Sequence, residues 1–518
     1  MKYPISIQTF ETLRETGCVY VDKTDLVYSL AQEHVCFLSR PRRFGKSLLI
    51  STLEAYFLGR RELFRGLRID SLETEWATYP VFRIDFAGGN FNKEGELEAI
   101  LDARIAGWEE IYGRKEILKT LSDRFQFVLE QAVRKTGRKA VVLIDEYDKP
   151  LLDVLGLPLE QTNRDILRGF YGTFKAADAS LRFVLLTGVT KFSQITVFSG
   201  FNQPNDISMD SQYDALCGIT EEELHSVFAE PIRQMAAKFG YSEDEMKEVL
   251  KKQYDGYHFS AALLDIYNPF SIINAFAKQI IDDYWYRSGT PTYLAKLIDG
   301  HKVNMQKLTE NLYTTRYFMD YKADVEDPLA MFYQSGYLTI KDYAPRERAF
   351  RLDFPNDEVR QGFVSLIANG YFMSRGTVAD SFVLQLSQML RERDLEGIRE
   401  AYTSFLASIP YEANKDVRAL DFETHYQYTF YIINRLLSCY TTLIEKQNSK
   451  GRADIVIESD NDVYVFEFKL DGTADEALRQ IEEKQYALPY LGGARKVHRI
   501  GVSISSQTRT VAEWKVEE

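Results

Sequence analysis

Two stretches of this chain combine residue types and spacings that suit phosphate chemistry. In the first, Ser39-Arg40-Pro41-Arg42-Arg43-Phe44-Gly45-Lys46-Ser47 follows an apolar run and opens a segment with Leu48, Leu49, Leu53 and Phe57 at helical spacing. It ends in GKS, the second half of the phosphate-binding pattern GxxxxGKS/T. Such a turn aims backbone N–H groups and a helix N-terminus at phosphate oxygens. Arg43 and Gly45 lie in that turn, Lys46 can reach the terminal phosphates, and Ser47 can ligate Mg²⁺. A nucleoside triphosphate, ATP with Mg²⁺, fits this chemistry. The departure is at the start, where Arg40 stands in place of the usual glycine and Pro41 has no N–H to donate. The cradle is therefore tighter or short of one donor, and nucleotide binding is separable from brisk hydrolysis.

A tripeptide GKS alone arises by chance, so a second feature has to support it. Ala140-Val141-Val142-Leu143-Ile144-Asp145-Glu146 is an apolar run of buried-strand type ending in two acids. At such a strand end Asp145 would hold Mg²⁺, and Glu146 would orient or deprotonate the attacking water. A third strand, Arg182 to Leu186, runs into Thr187-Gly188-Val189-Thr190-Lys191. Thr187 is the candidate to contact the γ-phosphate or the lytic water; the plain alternative is a strand end turning through Gly188.

The second stretch lies near the C-terminus. In Val463 to Leu470 the two-residue period of a strand puts Glu467 and Lys469 on one face and Tyr464, Phe466 and Phe468 on the other. A carboxylate and an amine in such a run cost desolvation energy unless they are paired or used. Gly451-Arg452-Ala453-Asp454 places Asp454 at the start of the preceding strand, where a hairpin brings it beside Glu467. Two close carboxylates repel unless a proton or a divalent cation lies between them, and oxygen ligands suit Mg²⁺ or Mn²⁺. Glu423, in a helix before the strand pair, and Gln480, in the helix after it, are further candidates. The alternative is a set of solvated or ion-paired groups on a strand pair.

Tyr20 to Thr24 (YVDKT), Arg40 to Ser47 (RPRRFGKS), Leu143 to Pro150 (LIDEYDKP) and Thr187 to Ser193 (TGVTKFS) occur in that order, and together they resemble the AAA-ATPase-like family. That family is common in bacteria and similar to AAA+ ATPases. Its loop shares the RPRRFGKS form, so the resemblance makes Arg40 and Pro41 a family variant. It covers about the first 205 residues and implies nucleotide binding; a homo-oligomeric ring follows only by analogy. The D…ExK arrangement resembles the PD-(D/E)XK nuclease superfamily, and the Gly-x-x-Asp form resembles its RecB-like branch. There the two acids bind metal and the lysine positions or activates water. The QxxxY spacing of that branch is absent, since Gln480 and Tyr486 stand too far apart. A nuclease-superfamily domain often follows the AAA-ATPase-like domain, which supports both assignments.

The elements that must position these residues are legible in the periodicity. Near-continuous apolar runs at His34 to Leu38, Val81 to Phe86, Ala140 to Ile144 and Phe183 to Leu186, separated by amphipathic segments, predict a parallel sheet buried on both faces. Thr220 before Glu221 to Glu223 predicts a capped helix, and helical spacing continues from Ser242 to Gln253 and from Pro269 to Ile281. Between Arg287 and Glu392 the pattern stays helical, apart from strand-like stretches at Gly336 to Tyr343 and Ala349 to Phe354, either a connector hairpin or a winged-helix element. The aromatic stretches Tyr254 to His258 and Trp285 to Pro291 read as turns that pack helices, or as part of a lid or a base-stacking surface. The fold class is α/β: a P-loop parallel-sheet ATPase domain over 1–215, a helical lid over 216–300, a helical or winged-helix-like region over 301–395, and an α/β restriction-endonuclease-like domain over 396–518.

A chain of 518 residues exceeds what one hydrophobic core supports, so several domains and more than one function fit its length. A net charge of -13 excludes coating of nucleic acid by bulk electrostatics, so contact with DNA or RNA needs a local basic patch. Cys18, Cys36, Cys217 and Cys439 form no CxxC pair, which points away from a disulfide framework or a zinc site. The N-terminal residues show no apolar signal region, and no stretch approaches the roughly 20 apolar residues that span a bilayer. A cytoplasmic protein with no membrane partner is expected. Two function classes follow: an ATP-hydrolysing protein coupled to a metal-dependent nuclease, and a nucleotide-switched binding protein whose nuclease-like domain is catalytically silent.

Overall fold

A computed structural model of the chain describes residues 1–191, 204–288, 311–319, 329–363, 377–408, 442–443, 447–448, 451–452, 454–459, 461–508 and 510–517. They form two compact units, Met1–Val359 and Arg360–Glu518. Phe192, Ser193 and Glu423 lie outside the described residues.

In the first unit the apolar runs become strands β1 (Val35–Ser39), β2 (Val81–Asp85), β3 (Ala140–Asp145) and β4 (Leu181–Gly188), joined by the short β5 (Asn205–Asp206). The sheet order is β2-β3-β4-β1-β5, and every pairing is parallel. All six residues of β3 are buried, as expected of a central strand covered on both faces. The covering helices are α1 (Lys46–Phe57), α2 (Glu96–Tyr112), α3 (Leu121–Thr136) and α4 (Leu159–Ala176). Thr120 caps α3 by accepting from Asp123 N, and Gly137 ends it in the left-handed conformation. Phe125 of α3 stacks on Phe170 of α4 at 5.0 Å; both are buried, and burying each contributes about 1.5–3 kcal/mol.

This order has a consequence for chemistry. β4 lies between β1 and β3, so the C-terminal ends of all three meet at one edge of the sheet. Leu38 pairs with Thr187, and Ile144 pairs with Leu186, which brings Thr187 next to Asp145.

After the sheet, α5 (Glu221–Val227) begins with the expected capping box of Thr220 and Glu223. A break at Phe228 leads into α6 (Ala229–Phe239), with Pro231 in its first turn, where a missing N–H costs nothing. Next come α7 (Glu243–Tyr254), capped by Ser242, and α8 (Pro269–Lys278), capped by Asn268. Leu224, Phe228, Met235, Leu250 and Phe276 give these helices their own core. The strand-like stretches form an antiparallel pair, β7 (Thr339–Ala344) and β8 (Ala349–Asp353), to which β6 (Leu312–Thr314) adds a third strand. Leu312-Tyr313-Thr314 is too short for periodicity to reveal.

The second unit holds helices α9 (Thr377–Glu392) and α10 (Leu395–Ser408) and a five-stranded sheet. Its strands are β9 (Thr442–Leu443), β10 (Ile455–Glu458), β11 (Asp462–Leu470), β12 (Lys496–Ile504) and β13 (Val511–Glu517), in that order across the sheet. Only β11 and β12 are parallel, and α11 (Ala474–Glu483) crosses between them. Val463 and Val465 pack on Leu478 and Ile481 of α11. A Cβ on Gly501 of β12 would lie 2.3 Å from the Ala474 carbonyl, so only glycine lets α11 approach this closely. Among the described residues no helix is long and apolar enough to cross a membrane.

Candidate functional sites

The loop of residues 40–47 leaves β1 and enters α1 through Gly45, whose φ of 91° is in the left-handed region. Arg43 also has positive φ, at 67°. Lys46 is buried, and its ammonium donates to the carbonyls of Arg40 at 2.8 Å and Pro41 at 2.9 Å. Burial pulls its pKa down, while Asp145, Glu146 and Asp148 oppose that shift. Ser47, half-buried, is the second residue of α1.

Arg40 is not part of the cradle's surface. Its side chain turns inward, 1% exposed, and donates to the carbonyls of Ser39 (3.0 Å), Ser208 (2.7 Å) and Tyr213 (3.2 Å). Its guanidinium lies 4.0 Å from the Phe259 ring centre. The residue that replaces glycine is thus a buried strut under the loop. The aromatic turns read from sequence as packing elements also hold the loop. Phe44 packs edge-on against Tyr257 at 4.7 Å, Arg43 lies over Phe270, and Trp285 Nε1 donates to the Arg42 carbonyl at 3.0 Å.

Opposite the loop, Asp145 Oδ1 accepts from Thr187 Oγ1 at 2.8 Å and from Glu146 N at 3.1 Å. Its Oδ2 is buried with no hydrogen-bond partner among the described residues. An orphaned carboxylate oxygen near a lysine and a second acid fits a cation ligand. Glu146 has a φ of 51°, a left-handed conformation unusual for glutamate. Burial raises its pKa, helped by Asp148 and Asp145 and opposed by Lys46. Thr187, the candidate phosphate contact, thus stands beside Asp145 at the ends of neighbouring strands.

Sequence reasoning passed over Asp148. It is buried and accepts from Val189 N (2.9 Å), Thr190 N (2.6 Å) and Thr190 Oγ1 (2.8 Å), tying the β4 exit to the acid pair. The signal was present as a second aspartate three residues after the first. Beside the loop, an apolar cleft is lined by Tyr20, Val21, Gly45, Leu48, Cys217 and Ile219 among others.

In the second unit the hairpin register pairs Ile455 with Phe466, which sets Asp454 beside Glu467. Asp454 N donates to Glu467 Oε2 at 3.4 Å, and Asp454 Oδ2 accepts from Phe468 N at 2.9 Å. Lys469 Nζ donates to Gln480 Oε1 at 2.5 Å and lies 3.6 Å from Glu467 Oε1. Gln480 Nε2 donates to the same Glu467 oxygen. Asp454, just ahead of β10, Glu467 and Lys469 of β11 and Gln480 of α11 therefore form one network. Glu467 is 2% exposed, and burial with the Asp454 charge beside it pushes its pKa up to about 8, against the pull of Lys469. Two acids that crowd one another's charge in this way fit a shared divalent cation.

Glu467 and Lys469 share one face of β11, as the two-residue period requires, and that face is not polar along its whole length. Val463 and Val465 pack beneath α11, and Glu467 and Lys469 continue that same row. On the other face Phe466 packs on Trp514. Gln480, set among the buried Ala477, Leu478 and Ile481 of α11, is the polar side chain the helix brings to Glu467 and Lys469.

Residues 4–198 match the family described as Predicted AAA-ATPase, and residues 421–514 match the PD-(D/E)XK nuclease superfamily. The chain is 35% identical over 524 residues, covering all of it and 99% of the relative, to a protein of Azotobacter chroococcum mcd 1 named "Uncharacterized protein in vnfD 5'region". Among solved structures, the Aeropyrum pernix Orc1 protein in complex with DNA aligns at 11% identity over 68% of this chain and 93% of that one. Its TM-score of 0.23 is too low to carry an argument. With an end-to-end relative and both domain matches in the expected order, the chain belongs to the family of AAA-ATPase-like proteins that carry a C-terminal PD-(D/E)XK nuclease-superfamily domain.

Proposed function

We propose that the protein binds and hydrolyses ATP with Mg²⁺ at the 40–47 loop, and couples this to Mg²⁺- or Mn²⁺-dependent hydrolysis of phosphodiester bonds in DNA or RNA. One observation supports both parts of the reading: each unit gathers buried carboxylates that a divalent cation would satisfy. At the first site Asp145 and Ser47 would hold the cation, Gly45 and Arg43 would offer backbone N–H groups, and Lys46 would pair with the terminal phosphates. Glu146 would take the proton of the attacking water, and its raised pKa suits a general base. The cleft beside Gly45 would offer an apolar surface to the base.

At the second site Asp454 and Glu467 would hold the cation. Lys469 would stabilise charge developing on the phosphate, and Gln480 keeps the lysine and Glu467 in register. A bound divalent cation supplies neutralisation of phosphate charge at both sites and polarisation of the scissile phosphate at the second.

A second reading, a nucleotide-switched binding protein with a silent C-terminal site, is favoured by the Lys46 contacts. Its ammonium is held by two carbonyls of its own loop and must leave them to meet a phosphate. One experiment separates the two: ATP turnover and Mg²⁺- or Mn²⁺-dependent cutting of DNA and RNA by wild type, Lys46→Ala and Glu467→Ala. The first reading expects Lys46→Ala to lose turnover and Glu467→Ala to lose cutting alone. Wild-type protein that binds ATP and cuts neither nucleic acid with either metal leaves only the switch.

A further inference from the structure

Arg40, Pro41 and Arg42 turn three consecutive carbonyls onto protein donors. Lys46 takes the first two, and the indole N–H of Trp285 takes the third, at 3.0 Å. A peptide group is planar, with its C=O and the following N–H pointing opposite ways. Fixing the Arg42 carbonyl on Trp285 therefore fixes the Arg43 N–H in the opposite direction. Among the described residues nothing accepts from that N–H, so it is left to solvent or a ligand.

Trp285 is itself held firmly. Its backbone N–H donates to Glu358 Oε1 at 2.5 Å, and Glu358 Oε2 accepts from Ser271 Oγ at 2.7 Å. Its ring meets Tyr337 edge-on at 5.1 Å. Gly336, with φ of 90°, leaves room between Pro41 and Trp285, since a Cβ there would lie 2.6 Å from Pro41 Cβ and 3.6 Å from the indole.

We infer that Trp285 is a positioning residue for the phosphate cradle: by pinning the Arg42 carbonyl it presets the Arg43 N–H to donate to the β-phosphate of a bound nucleotide. The inference rests on the nucleotide-binding part of the reading above. It also answers the gap left by Pro41, because a loop one donor short depends more on the orientation of those that remain. Preorganising an amide in this way lowers the ordering cost that binding would otherwise carry.

The test titrates full-length wild type, Trp285→Phe, and a chain with benzothienylalanine at 285 with ADP and ATP by calorimetry, alongside thermal melts. Benzothienylalanine keeps the ring shape and removes only the N–H. Both variants are expected to bind ADP and ATP about fivefold to tenfold more weakly, the worth of one such hydrogen bond, with the benzothienyl chain melting as wild type does. Wild-type affinity in the benzothienyl chain overturns the inference, even where Trp285→Phe binds weakly, because shape alone would then explain the loss. If wild type binds neither nucleotide, the nucleotide-site reading itself fails and takes the inference with it.

Discussion

Thr187 donates its hydroxyl to Asp145 Oδ1 at 2.8 Å and leaves Asp145 Oδ2 buried, with no hydrogen-bond partner among the described residues, in a carboxylate whose charge acts on Lys46. The two residues sit on neighbouring strands, and the hydroxyl decides which carboxylate oxygen remains available. Thr187→Val keeps the shape and removes the donor, so ATP turnover should fall about tenfold to a hundredfold, as it does when a metal ligand loses its orienting partner. Thr187→Ser should restore most of it. A steady-state ATPase assay that finds Thr187→Val as fast as wild type removes Thr187 from the site.

Arg40→Gly would return the loop to the common pattern, yet it should weaken the protein. The substitution strips the buried carbonyls of Ser208 and Tyr213 of their donor and empties the space over Phe259. A loss of about 3 kcal/mol or more is expected in urea unfolding of the first unit. Arg40→Lys should recover only part of it, because an ammonium cannot reproduce the fork of the guanidinium. A variant as stable as wild type would mean that the strut carries no weight.

Glu358 sets a pH dependence. Burial raises its pKa from the ordinary 4.5 to about 8, with the Asp283 charge adding to it and donors from Ser271 and Trp285 opposing it. Between those values the folded chain holds a proton that the unfolded chain has released. Stability therefore falls as pH rises through this window, by at most about 5 kcal/mol. Glu358→Gln mimics the protonated form and should flatten the slope, making the variant the more stable of the two above pH 8. Equal slopes for wild type and variant, from denaturant midpoints across this range, would falsify the assignment.

At the second site the acids should reveal a cation through stability. In an Asp145→Asn background, without nucleotide, Mn²⁺ or Mg²⁺ should raise the melting temperature of the second unit. The gain corresponds to about 2.7 kcal/mol at a hundredfold excess over Kd. Adding Asp454→Asn with Glu467→Gln should abolish the shift. Gln480→Ala should reduce it, since Glu467 and Lys469 then lose their common partner. A shift that survives loss of both acids places the metal elsewhere.

Much of this was legible in the order of residues. A parallel sheet buried on both faces writes itself as apolar runs, so β1, β3 and β4 and their chemically marked ends could be read directly. Capping boxes are local, and Thr220 with Glu223 appeared where expected. Asp454 beside Glu467 followed from a hairpin and a two-residue period.

Contacts that join distant segments left no such trace. Nothing in the sequence says that Trp285 reaches Arg42, 243 positions away, or that Glu358 holds Trp285. Arg40 could be read only as a departure from the common phosphate loop, because sequence gives a residue's place on the chain but not the direction its side chain takes. The hydrogen bond between Thr187 and Asp145 was equally hidden, because it depends on the strand order that sets β4 beside β3. Residue types and spacings determined which family the chain belongs to and which strand ends bear the candidate residues. Tertiary structure alone decided which polar groups are buried together, because burial and long-range pairing arise only when separate elements pack, and those are the terms that set charge, orientation and pKa at each site.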